Sequence, residues 1–281
     1  MLLPRVITAL VLLALLLPAL LAQAAWPFAL LTLVLIGAGG WEWGRLNGQG
    51  FVPALGLGGL VAALCGLAWA QGWMLQVPAA VWWLATACWV LGGSLAIAKG
   101  PSAWPQLSPL ARRVIGVVVL CAAWLALAAG KARGLNFLLS TFCVVWMADI
   151  AAYFGGRAFG RRKLAPAISP GKSWEGVWTG MVGVQLLAVG WLAAEPSVFG
   201  AAGSLFHGLR ASLGVGGMVL ALVFLSLMSV MGDLVESLAK RAVGAKDSSR
   251  LLPGHGGVLD RVDALLPVLP AAMALATLVP N

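Results

Sequence analysis

Charge is what this chain has least of. Only 10% of its 281 residues are charged, with nine acids in all, against 61% hydrophobic residues and a mean hydropathy of +0.97. A water-soluble domain carries about 25% charged and about 45–50% apolar residues, so this much apolar surface has no place in water. Histidine is nearly missing, with two copies. The four cysteines (Cys65, Cys88, Cys121, Cys143) all fall inside apolar runs and have no metal-ligand spacing, which predicts no disulfide. The short alternating segments of a β-barrel are also absent, as are a repeat of fixed period and a disordered tail.

What the chain does have is long apolar runs, recurring from end to end. Runs near or above about 18 residues are candidate membrane spans. Backbone groups in hydrocarbon must be bonded within the segment, so these runs should be helices. The predicted fold is all-α, a polytopic integral membrane protein with about nine transmembrane helices. They lie near Leu2–Leu21, Trp26–Trp43, Phe51–Ala70, Val77–Ala98, Val114–Ala129, Leu135–Gly155, Glu175–Ala194, Gly214–Lys240 and Val262–Val279. Pro267 and Pro270 should kink the last one. Arg5, the apolar core after it and Ala22-Gln23-Ala24 also suit a cleavable signal peptide, the competing reading of the first span. The connection from Glu195 to Leu213 reads as an ordinary external loop.

The net charge of +9 and a pI of about 10.1 do not require nucleic acid. With the N-terminus inside and nine alternating spans, only Lys131, Arg133 and Arg210 of the 18 basic residues lie outside. That is the bias expected of cytoplasmic loops beside a lipid bilayer. The acids follow the same side: of nine, only Glu195 lies outside. A topology signal does not demand that, so acids and bases gathered at one face point to a site. The polar chemistry is in the second half. Residues 1–133 read as transmembrane scaffold and 134–281 as the catalytic region.

Two clusters carry the chemistry. Asp233 and Ser237 are four apart on one predicted helix, and Asp260 and Asp263 are three apart at the start of the next, each pair on one face. Three carboxylates and a hydroxyl at a membrane boundary suit Mg²⁺, which prefers oxygen ligands and shares substrate phosphates. The bland reading is that these acids only pair with neighbouring bases. Between them lie Lys240, Arg241, Lys246 and Asp247, then Gly254, His255, Gly256 and Gly257, with Arg261 following. Glycine-rich backbone can turn N–H groups to an anion, and cations offset charge that develops in phosphoryl transfer. His255 suits phosphate contact better than proton transfer. The second cluster runs from Asp149 through Tyr153, Arg157 and Lys163 to Ser169, Lys172 and Ser173. Ser173 should cap the seventh predicted helix, with Lys172 beside an anion-ready helix start.

The string S-L-A-K-R-A-V-G-A-K-D-S-S-R-L-L-P-G-H-G-G-V-L-D-R-V-D, from Ser237 to Asp263, resembles the signature of the phosphatidate cytidylyltransferase (CDP-diacylglycerol synthase) family. I-S-P-G-K-S-W-E-G from Ile168 is similar to that family's upstream element, with Ser173 where threonine is common. Ala239 departs from the usual larger aliphatic residue. The likeness covers about the C-terminal half. It implies transfer of CMP from CTP to phosphatidic acid, giving CDP-diacylglycerol and pyrophosphate. It also implies Mg²⁺ with a monovalent cation such as K⁺, and a metal site at Asp233, Ser237 and Asp260 with Asp263 close by. The expected location is a bacterial inner membrane with the site at the cytoplasmic face. A homodimer is compatible with the sequence. The rival readings are a CTP-dependent lipid-alcohol kinase, a CDP-alcohol phosphotransferase, a transporter and a non-catalytic scaffold. A phosphotransferase needs a different arrangement of aspartates. A transporter places its ionisable groups near the bilayer midplane, whereas here they crowd one edge.

Overall fold

The computed structural model describes residues 2–199 and 203–279. The chain is 79% helical. Each predicted apolar run carries a helix: α1 (Leu2–Leu21), α2 (Trp26–Leu46), α3 (Phe51–Ala70), α4 (Ala79–Cys88) and α5 (Ser94–Lys99), then α6 (Pro109–Arg133), α7 (Leu135–Phe159), α8 (Trp174–Val198), α9 (Leu205–Ala242), α10 (Leu259–Val262) and α11 (Leu265–Ala276). A π turn at Trp89–Gly93 fuses α4 to α5. Among the described residues, six helices are long and apolar enough to cross a membrane: α3, the α4–α5 unit, and α6 through α9. Lipid-facing leucines and valines cover their outer faces, as with Leu84, Val118 and Leu186.

Without a hydrophobic drive between helices in lipid, close packing has to come from small residues. Helices α7 and α8 meet through such a stripe. A Cβ at Gly176 would stand 2.9 Å from the Ala152 carbonyl, and one at Gly180 2.9 Å from that of Ala148. Gly155 lies against Thr179. Gly180→Val should therefore force the pair apart, costing about 1–3 kcal/mol as overpacking. A lowered unfolding temperature in detergent is the expected result.

The sequence reading is corrected at two places. Residues 195–213 are not a plain loop. α8 runs to Val198 and α9 already starts at Leu205, capped by Ser204, whose hydroxyl accepts from the His207 N–H at 3.0 Å. The helix is broken at Gly214, where φ is +68°. The stretch before α8 forms an antiparallel hairpin of β1 (Lys163–Ala165) and β2 (Ser169–Ser173), strands that the all-α expectation does not include.

The last predicted span breaks one turn before Pro267, whereas Pro270 lies inside an uninterrupted α11. Pro267 has no N–H to give the Asp263 carbonyl, which takes a longer bond from Leu266 instead, at 3.3 Å. The break separates α10 from α11, and α11 is buried along its length. Gly232 of α9 sits against the Asp263 carbonyl and 2.8 Å, by a built Cβ, from Pro267. With no side chain there, the backbone carrying Asp263 comes up to the turn of α9 that carries Asp233.

Candidate active site

Asp233 and Lys172 form the hinge of the site. The Lys172 ammonium, on β2, pairs with Asp233 Oδ2 of α9 at 2.6 Å, with the side chains 24% and 30% exposed. Both partners stay accessible. One turn along, Ser237 donates to Asp233 Oδ1 at 3.1 Å. Asp263 lies within electrostatic reach of Asp233 and Lys172, and so does Asp149. Asp263 Oδ1 also accepts the Ala264 N–H at 2.8 Å.

Asp149, Lys172 and Asp233 border a cavity of about 520 Å³ between α7, the hairpin, α8 and α9. Asp149, Tyr153 and Arg157 come from α7, Ser169 and Lys172 from β2, and Ser226 and Asp233 from α9. The hairpin is fixed at three points. Ser173 caps α8, its hydroxyl accepting the Gly176 N–H at 3.2 Å. Glu175 accepts the N–H groups of Arg161 and Arg162 at 3.0 and 3.2 Å. Arg241 reaches across from the end of α9 to the Ile168 carbonyl at 3.3 Å and back to that of Ala245 at 3.2 Å. Arg241 thus holds backbone.

The glycine-rich loop is a separate body of the site. Leu252 and Gly256 bridge, with Leu252 N–H giving to Gly256 O at 2.8 Å. Gly254 and Gly256 have φ of +77° and +84°, conformations that favour glycine. Gly257 is crowded by Ser248 and Glu42. Asp260 is fully engaged by this loop. Its Oδ2 accepts from Ser248 N–H, Ser248 Oγ and Gly257 N–H, each at 2.8 Å, and its Oδ1 from Lys240 at 2.7 Å. Lys240 is 8% exposed and also pairs with Glu236. Lys246, Asp247 and Arg261 are exposed and do not line the cavity. His255 Nδ1 is buried and has no hydrogen-bond partner among the described residues.

Sequence reasoning passed over Glu42. This carboxylate on α2 is wholly buried. It accepts from Ser249 Oγ at 2.6 Å, Leu259 N–H at 2.8 Å, Val258 N–H at 2.9 Å and Ser248 Oγ at 3.3 Å. The signal available was an acid inside an apolar run, which is costly unless partnered. The first helix joins in as well: Thr8 donates to the Pro253 carbonyl at 3.0 Å, and Arg5 lies over Gly254.

Asp260 sets a pH dependence. Burial works to raise its pKa, but the Lys240 hydrogen bond and the Gly257 and Ser248 N–H groups outweigh it and bring it from 3.8 to about 2. A carboxyl depressed in the folded state stabilises above its unfolded value, and that stability is lost as pH falls through the folded one. The order of residues 248–259 should hold down to about pH 4, then lose about 2 kcal/mol of support toward pH 2. Protease cutting within that loop as a function of pH checks this.

Oxygen-only donors at Asp233, Ser237 and Asp263 fit Mg²⁺ by chemistry. Among the described residues no three acids, histidines or cysteines form a ready-made shell. The Lys172 ammonium occupies the cation position at Asp233.

The sequence profile described as "Cytidylyltransferase family" matches residues 3–279. A phosphatidate cytidylyltransferase of Pseudomonas aeruginosa is 39% identical over 279 residues, covering 98% of this chain and 97% of that protein. Proteins of the same description from Haemophilus influenzae and Brucella suis are 46% and 49% identical over 138 and 133 residues. Those two alignments take in 49% and 47% of this chain and 44% of each relative.

Proposed function

The chain belongs to the cytidylyltransferase family, and from that premise we infer that it is a phosphatidate cytidylyltransferase, a membrane nucleotidyltransferase of phospholipid synthesis. The substrates are CTP and phosphatidic acid, and the products CDP-diacylglycerol and pyrophosphate. The observation that carries the site assignment is the accessible Lys172–Asp233 pair, with Ser237 beside it, at a cavity bordered by spanning helices.

In the reaction, an oxygen of the phosphatidate phosphate attacks the α-phosphorus of CTP. The bond from that phosphorus to the β-phosphate bridge breaks, and pyrophosphate leaves. A phosphate monoester is largely ionised near neutral pH, so no strong base is needed. Catalysis is then positioning and charge. Lys172 and Arg157, both at the cavity, meet the phosphates. The glycine-rich loop, its Gly257 N–H held by Asp260 and its Val258 and Leu259 N–H groups by Glu42, sets the position of Asp260 rather than presenting those N–H groups to the nucleotide. Lys240 serves by holding Asp260 and the loop, and Arg241 by holding the hairpin. Asp233, Ser237 and Asp263 would hold Mg²⁺, with Asp260 joining only by giving up its Lys240 contact. When bound, the ion supplies charge neutralisation at the triphosphate. A monovalent cation such as K⁺ belongs to the same reading.

The nine-span topology, with the site at the cytoplasmic face of a bacterial inner membrane, is part of this proposal. The basic residues crowded at one side support it. α11, the twelve residues Leu265–Ala276, rises about 18 Å and is the membrane-embedded part of the ninth segment, with α10 leading into it. The test is transfer of label from CTP to lipid in detergent with phosphatidic acid and Mg²⁺. Label at the α-phosphate should enter lipid. Label entering only from the γ-phosphate would make the protein a kinase.

A further inference from the structure

Behind α9 lies a second cavity, of about 650 Å³. Gly232, Val235 and Glu236 line it, and none of the three borders the first cavity, which α9 meets through Ser226, Val230 and Asp233. Its other walls are α4, the π turn, α5, residues 100–107 and α6, with Trp43, Leu259 and Leu266 closing it. The lining is apolar apart from Lys99 and Gln106 at one end and Glu236, which Lys240 engages. The lip is made of exposed Leu95, Val114 and Val118, all on segments long and apolar enough to span.

We propose that this groove binds an acyl chain of an anionic phospholipid of the surrounding bilayer, with Lys99 at the lipid phosphate. An apolar hollow does not hold water, and left empty it forfeits dispersion contacts on every wall. On a face turned to hydrocarbon, the material that fills it is a lipid tail. The volume is that of a small-molecule site. Lys99 ends the α4–α5 span and is exposed, so its ammonium stands where a spanning helix meets the headgroups. Each lysine at an anionic surface favours binding by about fivefold.

The backbone is shaped for the groove. A π turn inside a helix commonly marks a functional site. Here it carries two glycines with different surroundings. A Cβ at Gly93 would meet Met231 Sδ at 2.6 Å, so α9 presses against the turn there. A Cβ at Gly92 would meet nothing within 4 Å, because Gly92 opens onto the groove. Gly92 thus keeps one wall of the groove open, beside a helix contact that needs the other glycine. The inference rests on the spanning helices and not on the reaction.

The test uses full-length protein in lipid nanodiscs with a phosphatidylglycerol carrying a photoreactive acyl chain. Adducts should map to the groove, at Cys88, Leu95 and Ile115. Gly92→Trp, whose Cβ meets nothing within 4 Å and whose ring would take up groove space, should bring them to background. Lys99→Glu, an exposed change that leaves the packing alone, should cut phosphatidylglycerol adducts at least about fivefold and leave adducts of a zwitterionic phosphatidylcholine probe unchanged. Equal labelling of wild type and Gly92→Trp overturns the proposal. So does equal sensitivity of both probes to Lys99→Glu. Bismaleimide linking of Cys88 between two copies, with lipid adducts absent, also overturns it and assigns the groove to a subunit interface. None of these readouts needs CTP, so they stand apart from the cytidylyl-transfer assay.

Discussion

Asp233→Asn lowers kcat for cytidylyl transfer by about a thousandfold, the scale of losing a charge-stabilising group at a reacting phosphate, and leaves the fold intact. The asparagine keeps the shape of the carboxylate and its bond with Ser237, but not its charge. Lys172 then loses its partner at 2.6 Å. The side chain is 30% exposed, so the fold does not depend on its burial. The natural comparison is Asp260→Asn, which strikes a carboxylate with four donors from Lys240, Ser248 and Gly257. That variant should lose activity together with loop order, seen as faster proteolysis of residues 248–259. Asp233→Asn should lose activity with loop proteolysis unchanged. Activity of Asp233→Asn within threefold of wild type would remove Asp233 from the reaction and the cavity from the site.

The contrast between those two aspartates also marks where the sequence stops being readable. Asp233 and Ser237 are one helical turn apart, so their shared face follows from periodicity, and the structure has them hydrogen-bonded. The Ser173 cap was legible for the same reason: capping is a local event within four residues. The break before α11 was legible because Pro267 removes a donor wherever it sits. Contacts between distant segments were not legible. That Lys172 would choose Asp233 depends on a hairpin docking on α9, and Pro170-Gly171 within β2 reads locally as a turn. That Asp260 would spend its oxygens on Ser248 and Gly257 depends on how the loop folds back. The division into scaffold and catalytic halves followed the polar residues along the chain, and Glu42 and Thr8 both reach the loop from the first part.

Glu42 gives the second large effect. Glu42→Ala should destabilise the protein by about 3 kcal/mol or more, since each buried donor left without an acceptor costs about 1–3 kcal/mol. The orphaned groups would be the Val258 and Leu259 N–H and the Ser249 hydroxyl. Glu42→Gln is the sharper test. It fills the same space but replaces one accepting oxygen by an N–H₂ group, which would point donors at donors. The damage should be local. Amide exchange at Val258 and Leu259 should quicken, and kcat should fall, while exchange in the α7–α8 pair stays as it was. Because Gly257 packs on this carboxylate, the loop would release from α2 and take its bond to Asp260 with it. Glu42→Asp keeps the charge on a shorter stem and should restore part of the protection and part of the rate. If Val258 and Leu259 exchange at the wild-type rate in Glu42→Gln, the carboxylate only fills space, and the loop is held by Asp260 and Lys240 without it.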